Sequence, residues 1–223
     1  AYSGSFAFQV ITAPDGTRSA EITSYTGNST TIEIPETVVD ATDNTTYNVT
    51  SIKGEFLDGN STATTLVISR YVENIEGDFL SGNDTLRTIQ VDTNNQYFSA
   101  TNGVLFSKDQ TMLIKYPPAK TGTNYTMPNT TRSLSNHAFA NVSVLQTLTL
   151  SNQLLVISNS AFAGATSIYR ITFQTTTPPY LTGFKAFQVT TENGLQLRVP
   201  SNSLTTYQNS LYYRYYRSYM SGV

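Results

Sequence analysis

The sequence predicts an α/β solenoid, a right-handed stack of short parallel strands joined by short helical or 3₁₀ turns. Three observations lead there. Four stretches place aliphatic residues 11, then 3, then 2 positions apart: Ile52-Ala63-Leu66-Ile68, Ile75-Leu86-Ile89-Val91, Leu134-Leu145-Leu148-Leu150 and Ile157-Ile168-Ile171-Phe173. A phenylalanine follows the first aliphatic by four or five residues each time (Phe56, Phe79, Phe139, Phe162). Neighbouring copies are 23 residues apart, 52 to 75 and 134 to 157. A fixed step of this size marks a supersecondary unit that cannot bury its apolar face alone, so copies must stack.

A period of about 20–29 residues with one strand and one turn per copy is the pattern of leucine-rich repeats. The elements follow in order within a single domain, 1–223. Residues 1–48 read as an N-terminal cap. In it Phe6-Ala7-Phe8-Gln9-Val10-Ile11 and Ala20-Glu21-Ile22-Thr23-Ser24-Tyr25 alternate around the turn Pro14-Asp15-Gly16, a β-hairpin. Ile32-Glu33-Ile34, ended by Pro35, is the first stacked strand. Repeats occupy 49–94 and 129–200. Within them the last three positions alternate, so Leu148 and Leu150 point inward while Thr147, Thr149 and Ser151 point out. The segment before them, such as Ile157 to Gly164, reads as a helical or 3₁₀ turn stopped by Gly or Asn.

Between the copies the step widens to 59 residues, from 75 to 134. Residues 95–128 are therefore an inserted region, with a hairpin of Gly103–Phe106 and Thr111–Tyr116 turning through Ser107-Lys108-Asp109-Gln110, and with Asn124-Tyr125-Thr126 as a returning strand. Leu195–Val199 is a last strand. Residues 201–223 form a C-terminal helical cap, because Leu204, Tyr207, Leu211, Tyr215 and Tyr219 fall at helical spacing.

Composition narrows the function classes. Thirteen Lys+Arg against 15 Asp+Glu give a net charge of -2 without a basic block, which argues against a nucleic-acid partner. Charged residues make up only 13% of the chain, leaving Thr, Ser and Asn to supply the polar surface, as in secreted and cell-wall proteins. Cysteine is absent, so packing must hold the fold. No apolar run approaches the roughly 20 residues that cross a bilayer. The opening Ala1-Tyr2-Ser3 fits a mature or trimmed chain, which places any anchor outside this sequence.

No residue set points to catalysis, a cofactor or a metal. His137 is the single histidine, without a nucleophile motif beside it, and reads as structural. Zinc would need more His, Cys or carboxylate ligands than the chain groups together. A carbohydrate-cleaving solenoid would need two facing acids, and Glu73, Glu76, Asp78, Asp84 and Asp92 do not recur at the 23-residue step. The outward strand positions stack into columns instead: Thr65, Thr88, Thr147 and Arg170, and beside them Val67, Gln90, Thr149 and Thr172. Thr there is a good strand former on a wet face, but Arg and Tyr are residue types enriched at binding hot spots. The partner-binding candidates are accordingly Arg87, Gln90, Thr149, Tyr169, Arg170 and Thr172. The tyrosines at 212, 213, 215, 216 and 219 cannot all face one packed stripe, so some phenols stay exposed. Eight N-x-S/T triplets occur, at Asn28, Asn44, Asn48, Asn60, Asn83, Asn124, Asn129 and Asn141, as chance allows in an Asn/Thr-rich chain.

Several of these pieces together resemble the BspA-type leucine-rich repeats of bacterial and some protist surface proteins. They are the 23-residue frame, the entry Tyr47-x-Val49-Thr50-Ser51-Ile52, the insert Asn102-Gly103-Val104-Leu105-Phe106-x-Lys108-Asp109-x-Thr111-x-Leu113-Ile114 and the exit Leu197-x-Val199-Pro200-x-x-Ser203 running on to Tyr207. The likeness spans about residues 20 to 210. It departs in the first two copies, where Phe56 and Phe79 come one place early. The resemblance implies a non-enzymatic, cell-surface or secreted protein, monomeric, that adheres to an extracellular protein or glycan of a host or neighbouring cell. The alternatives are a polysaccharide-binding or polysaccharide-cleaving solenoid, or a structural spacer in a longer surface protein.

Overall fold

The structure, a computed structural model, describes residues 1–77, 79–80, 82–183, 185–187 and 194–223. Two compact units result, Ala1–Lys108 and Asp109–Val223. Asp78, one of the acids considered above, lies outside the described residues.

In the first unit, β1 (Tyr2–Ser3), β2 (Phe6–Thr12) and β3 (Arg18–Tyr25) pair antiparallel. This is the expected hairpin, and its Gly16 takes φ 86°, a left-handed conformation open to glycine. Next come β4 (Thr31–Glu33), β5 (Thr37–Asp40) and β6 (Thr45–Ile52). β5 and β6 form a further antiparallel hairpin, Thr37 opposite Asn48 and Asp40 opposite Thr45, which the repeat frame does not reveal. The other end of β6 runs parallel to β3, bringing Ile52 opposite Ile22.

β7 (Thr65–Ile68), β8 (Asn74–Ile75) and β9 (Thr88–Val91) carry the first two copies. Ile52 lies opposite Ile75, Leu66 opposite Ile89 and Ile68 opposite Val91, so the frame read in the sequence is the register of the parallel ladders. β4 joins the same sheet with Ile32 opposite Leu66, as its Ile-Glu-Ile-Pro pattern predicts. Ile52, Ala63, Leu66, Ile68, Leu86 and Ile89 are all buried, whereas Ile75 and Val91 are half-buried. Both of the latter lie on the last strand of their ladder, where a rung has a neighbour on one side only.

β10 (Phe98–Thr101) and β11 (Val104–Ser107) pair antiparallel around Asn102-Gly103, whose φ values of 52° and 78° suit a two-residue hairpin turn. The hairpin of the inserted region thus turns one strand earlier than expected. The Asn-Gly dipeptide is the stronger turn signal, because both of its residues tolerate positive φ at little cost.

The second unit contains β12 (Met112–Lys115), β13 (Asn124–Thr126), β14 (Ser133–Leu134), β15 (Thr147–Thr149), β16 (Val156–Ile157), β17 (Arg170–Thr172), β18 (Tyr180–Leu181), β19 (Gln196–Val199) and β20 (Met220–Gly222). One parallel ladder runs β12-β14-β16-β18 and another β13-β15-β17-β19-β20. Leu148 lies opposite Tyr125 and Ile171, and Ile157 lies opposite Leu134 and Leu181. Every aliphatic of the third and fourth copies is buried. Tyr116, Phe139, Phe162 and Phe187 form a continuous ring column, with successive centroids 5.3 Å apart in stacked pairs.

The helical turns expected on the back of each copy are not helices. Each first aliphatic of copies two to four sits in a two-residue strand, and the Phe segment is a chain of separate i→i−3 turns, such as Ala161 N to Ser158 O and Ala163 N to Ser160 O. What ends them is fixed: Gly59, Gly82, Asn141 and Gly164 all take positive φ, between 59° and 74°. Each stands seven residues after its first aliphatic. That anchor keeps the register of all four copies, including the two in which Phe arrives one place early. Ser151 is a further correction. It is buried, because the strand has ended by then and its hydroxyl accepts the Gln153 N–H at 3.0 Å in the following turn.

The C-terminal segment departs from one long helix. α1 (Leu204–Asn209) ends at Ser210, whose ψ of 146° is extended, and a 3₁₀ segment follows over Tyr213–Tyr219. The change from a 3.6- to a 3-residue period moves the packed face. Tyr207, Tyr213 and Tyr216 are buried, while Leu211 and Tyr215, expected on the stripe, are 60% and 61% exposed. Tyr207 and Tyr213 meet Phe173 edge-on at 5.3 and 5.8 Å. The buried phenols have pKa values raised by desolvation, Tyr207 to about 12. The chain then adds β20, an unanticipated last strand beside β19.

Candidate binding surface

On β15, β17 and β19 the alternation of the strands sends Leu148, Ile171 and Leu197 into the core. The intervening side chains stand on the opposite face in two rows. One row holds Asn124, Thr147, Arg170 and Gln196, and the other Thr126, Thr149, Thr172 and Arg198. Thr147 donates to the Asn124 carboxamide oxygen. The Arg170 guanidinium lies 5.5 Å from the centroid of the Tyr169 ring, and its Nε donates to Gln196 Oε1 at 3.3 Å. These contacts hold Arg170 against the sheet and keep its cation unneutralised, since among the described residues the one ion pair joins Arg70 to Glu36. Arg198 is half-buried and its Nε has no hydrogen-bond partner. This face therefore displays two arginines among hydroxyls and amides, with no acid in either row.

Four of the residues expected to bind a partner, Thr149, Tyr169, Arg170 and Thr172, thus gather on this unit. Arg87 and Gln90 belong to the first unit, where both are exposed. There Gln90 lies opposite Val67, and Val67 opposite Glu33. A hollow of about 670 Å³ beside them is lined by Glu33, Glu36 and Asp92, so its character is acidic. The single column drawn through Thr65, Thr88, Thr147 and Arg170 is, in the structure, one pair in each unit.

Gln196, Arg198, Asn124 and Thr126 were not among the expected residues. The alternation of Leu195–Val199 places Gln196 and Arg198 outward, but the step from Ile171 to Leu197 is 26 residues and hides the alignment from a 23-residue frame. The acids that a cleaving enzyme would use are occupied locally. Glu76 accepts the Gly54 N–H at 3.2 Å, Asp92 accepts the Asn94 N–H at 2.8 Å, and Glu73 bonds the Tyr97 phenol and raises its pKa. His137 takes φ 56° in a turn, and its carbonyl oxygen accepts from Lys115 Nζ at 3.0 Å.

A second concavity of this unit lies between Asn152–Leu155 and Gln174–Tyr180 and measures about 500 Å³. Among the described residues no group of three or more His, Cys, Asp or Glu could hold a metal ion, and no helix is long and apolar enough to cross a membrane.

Stacked parallel strands with an in-register aliphatic frame define the leucine-rich repeat class. Residues 119–216 match the family described as BspA type Leucine rich repeat region (6 copies), and that stretch of the chain belongs to it. Among curated proteins there is no significant match. Solved structures with some likeness include a leucine-rich repeat protein from Eubacterium ventriosum, at 18% identity and TM-score 0.48, covering 88% of this chain and 77% of that one. Another is the leucine-rich repeat protein of T. pallidum, at 17% identity and TM-score 0.40, covering 87% and 69%. A third is a leucine rich cell surface protein from Faecalibacterium prausnitzii, at 15% identity and TM-score 0.35, covering 89% and 93%. At these scores none of the three bears on what this chain binds.

Proposed function

We propose that the chain is a non-enzymatic protein-binding module of a cell-surface or secreted protein, adhering to extracellular proteins through the outward face of β15, β17 and β19. The hairpin of β2 and β3 and the aromatic C-terminal segment act as lids on the apolar core of their units. The observation that carries this reading is the pair Tyr169 and Arg170. An aromatic ring and an unneutralised guanidinium stand together on a flat field of short polar side chains, the residue types that anchor interfaces. A second arginine on the same face, Arg198, favours a partner with acidic groups.

The test is retention of the intact chain on immobilised collagen, laminin and fibronectin. Binding is expected to weaken as salt is raised. Tyr169→Ala combined with Arg170→Ala is expected to weaken it about tenfold or more. Both side chains are half-buried on the surface, so melting is expected to change little. Wild-type retention by the double variant would remove this face as the site.

A further inference from the structure

We propose that the groove between Asn152–Leu155 and Gln174–Tyr180 is a binding site for a neutral oligosaccharide. None of its lining residues belongs to the two rows of the sheet face, and its volume of about 500 Å³ suits a small ligand. The first argument is charge. No Asp, Glu, Lys, Arg or His lines the groove. An ionic ligand would lose hydration there and find no countercharge.

The second argument is the polar inventory. Asn152, Gln153 and Gln174 are exposed and present carboxamides, each with both donors and an acceptor, and Thr176 and Thr177 add exposed hydroxyls. Gln174 Nε2 donates to the Leu150 carbonyl at 2.8 Å, which fixes the side chain and leaves its oxygen to accept. Groups that donate and accept side by side match vicinal sugar hydroxyls, which do the same.

The third argument is the apolar floor. Tyr180 is 60% exposed and Leu155 59%, and the two are joined by the hydrogen bond from Tyr180 N to Leu155 O at 2.7 Å. Tyr212 packs against the Tyr180 ring at 6.3 Å with 66° between the planes, holding the ring without covering it. A single flat ring suits the C–H face of a pyranose. A peptide would dock by adding to a strand edge or by dropping side chains into apolar pockets, whereas here polar groups surround just two exposed apolar side chains. The walls are set in advance. Thr175 is tied to the buried Tyr207 by its hydroxyl at 2.8 Å and its carbonyl at 2.9 Å, and Pro178-Pro179 restrict the backbone before Tyr180.

The test uses the intact chain with cellotetraose, maltotetraose, mannotetraose and chitotetraose at millimolar concentration, read by saturation-transfer NMR and titration calorimetry. At least one sugar is expected to bind, with an affinity unchanged between low and high salt. Tyr180→Ala should weaken that affinity about tenfold, and Tyr180→Phe should keep it, because the ring and not the phenol makes the contact. Since Tyr180 is largely exposed, both variants should melt as the wild type does. Absence of binding by all four sugars, binding indifferent to Tyr180→Ala, or a proline-rich peptide occupying the groove in place of sugar would overturn the proposal. The Tyr169→Ala, Arg170→Ala variant should bind sugar normally, and Tyr180→Ala should still be retained on matrix proteins, so the two readings fail separately.

Discussion

Lys115 is 2% exposed and, among the described residues, has no carboxylate partner; its Nζ donates to the His137 carbonyl at 3.0 Å. Burial lowers its pKa from an ordinary 10.5 to about 8. At pH 7 the lysine is charged in both the folded and unfolded chains, and only the folded chain bears the desolvation. The difference corresponds to about 3 kcal/mol. As pH rises through about 8 the folded chain releases this proton, while the unfolded chain holds it until about 10.5. The unfolded state then binds more protons, so stability rises with pH in that window. Above pH 10 the sign reverses. Tyr116 and Tyr207 have pKa values raised by burial to about 12, so they keep their protons in the folded state after the unfolded chain has lost them. A stability maximum is therefore expected between about pH 9 and 10. Urea unfolding followed by near-ultraviolet circular dichroism, repeated across this range, measures it. Lys115→Met should flatten the rise. It should also stabilise the protein at pH 7 by up to about 3 kcal/mol, less about 1 kcal/mol for the abandoned carbonyl. A wild-type stability that falls from pH 7 to 9, or an equal slope in Lys115→Met, would refute the reasoning.

Phe162→Ala should destabilise by about 3–5 kcal/mol, because the ring is buried and stacked on both sides, and urea midpoints will show it. Phe79→Ala, whose ring stacks on Phe56 at 6.1 Å, should cost no more than Phe162→Ala by the same measurement. Gly164→Ala should be more damaging than Gly59→Ala. Both residues hold positive φ, a conformation costing about 1–2 kcal/mol for alanine, but only at 164 would the new Cβ fall 2.1 Å from Asn141 Oδ1, with open space at 59. Equal melting temperatures for the two variants would contradict this.

The repeat frame is legible in the sequence because its positions recur on consecutive coils, and pairing Leu148 with Ile171 demands the same spacing each time. The hairpin of β5 and β6 is not legible, since Thr37–Asp40 and Thr45–Asn48 are polar and lie outside any repeat. The C-terminal stripe misleads for a local reason. Ser210 breaks the helix, and the residues after it count by threes, which buries Tyr213 and Tyr216 in place of Leu211 and Tyr215. At the candidate surface, Tyr169 and Arg170 are found from strand alternation alone. Arg198 escapes because the loop before it adds three residues to the step. The sugar groove escapes for a different reason: Leu155 and Tyr180 are each unremarkable exposed residues until the pairing of β16 with β18 sets them side by side.

The left-handed residue seven places into each copy has a consequence for how such a chain can diversify. Because one small backbone hinge and a few inward aliphatics set where each rung begins, the side chains on the outer rows are released from any duty in folding. A lineage could exchange Thr for Arg, or Gln for Tyr, along those rows and alter its choice of partner while its scaffold stayed the same.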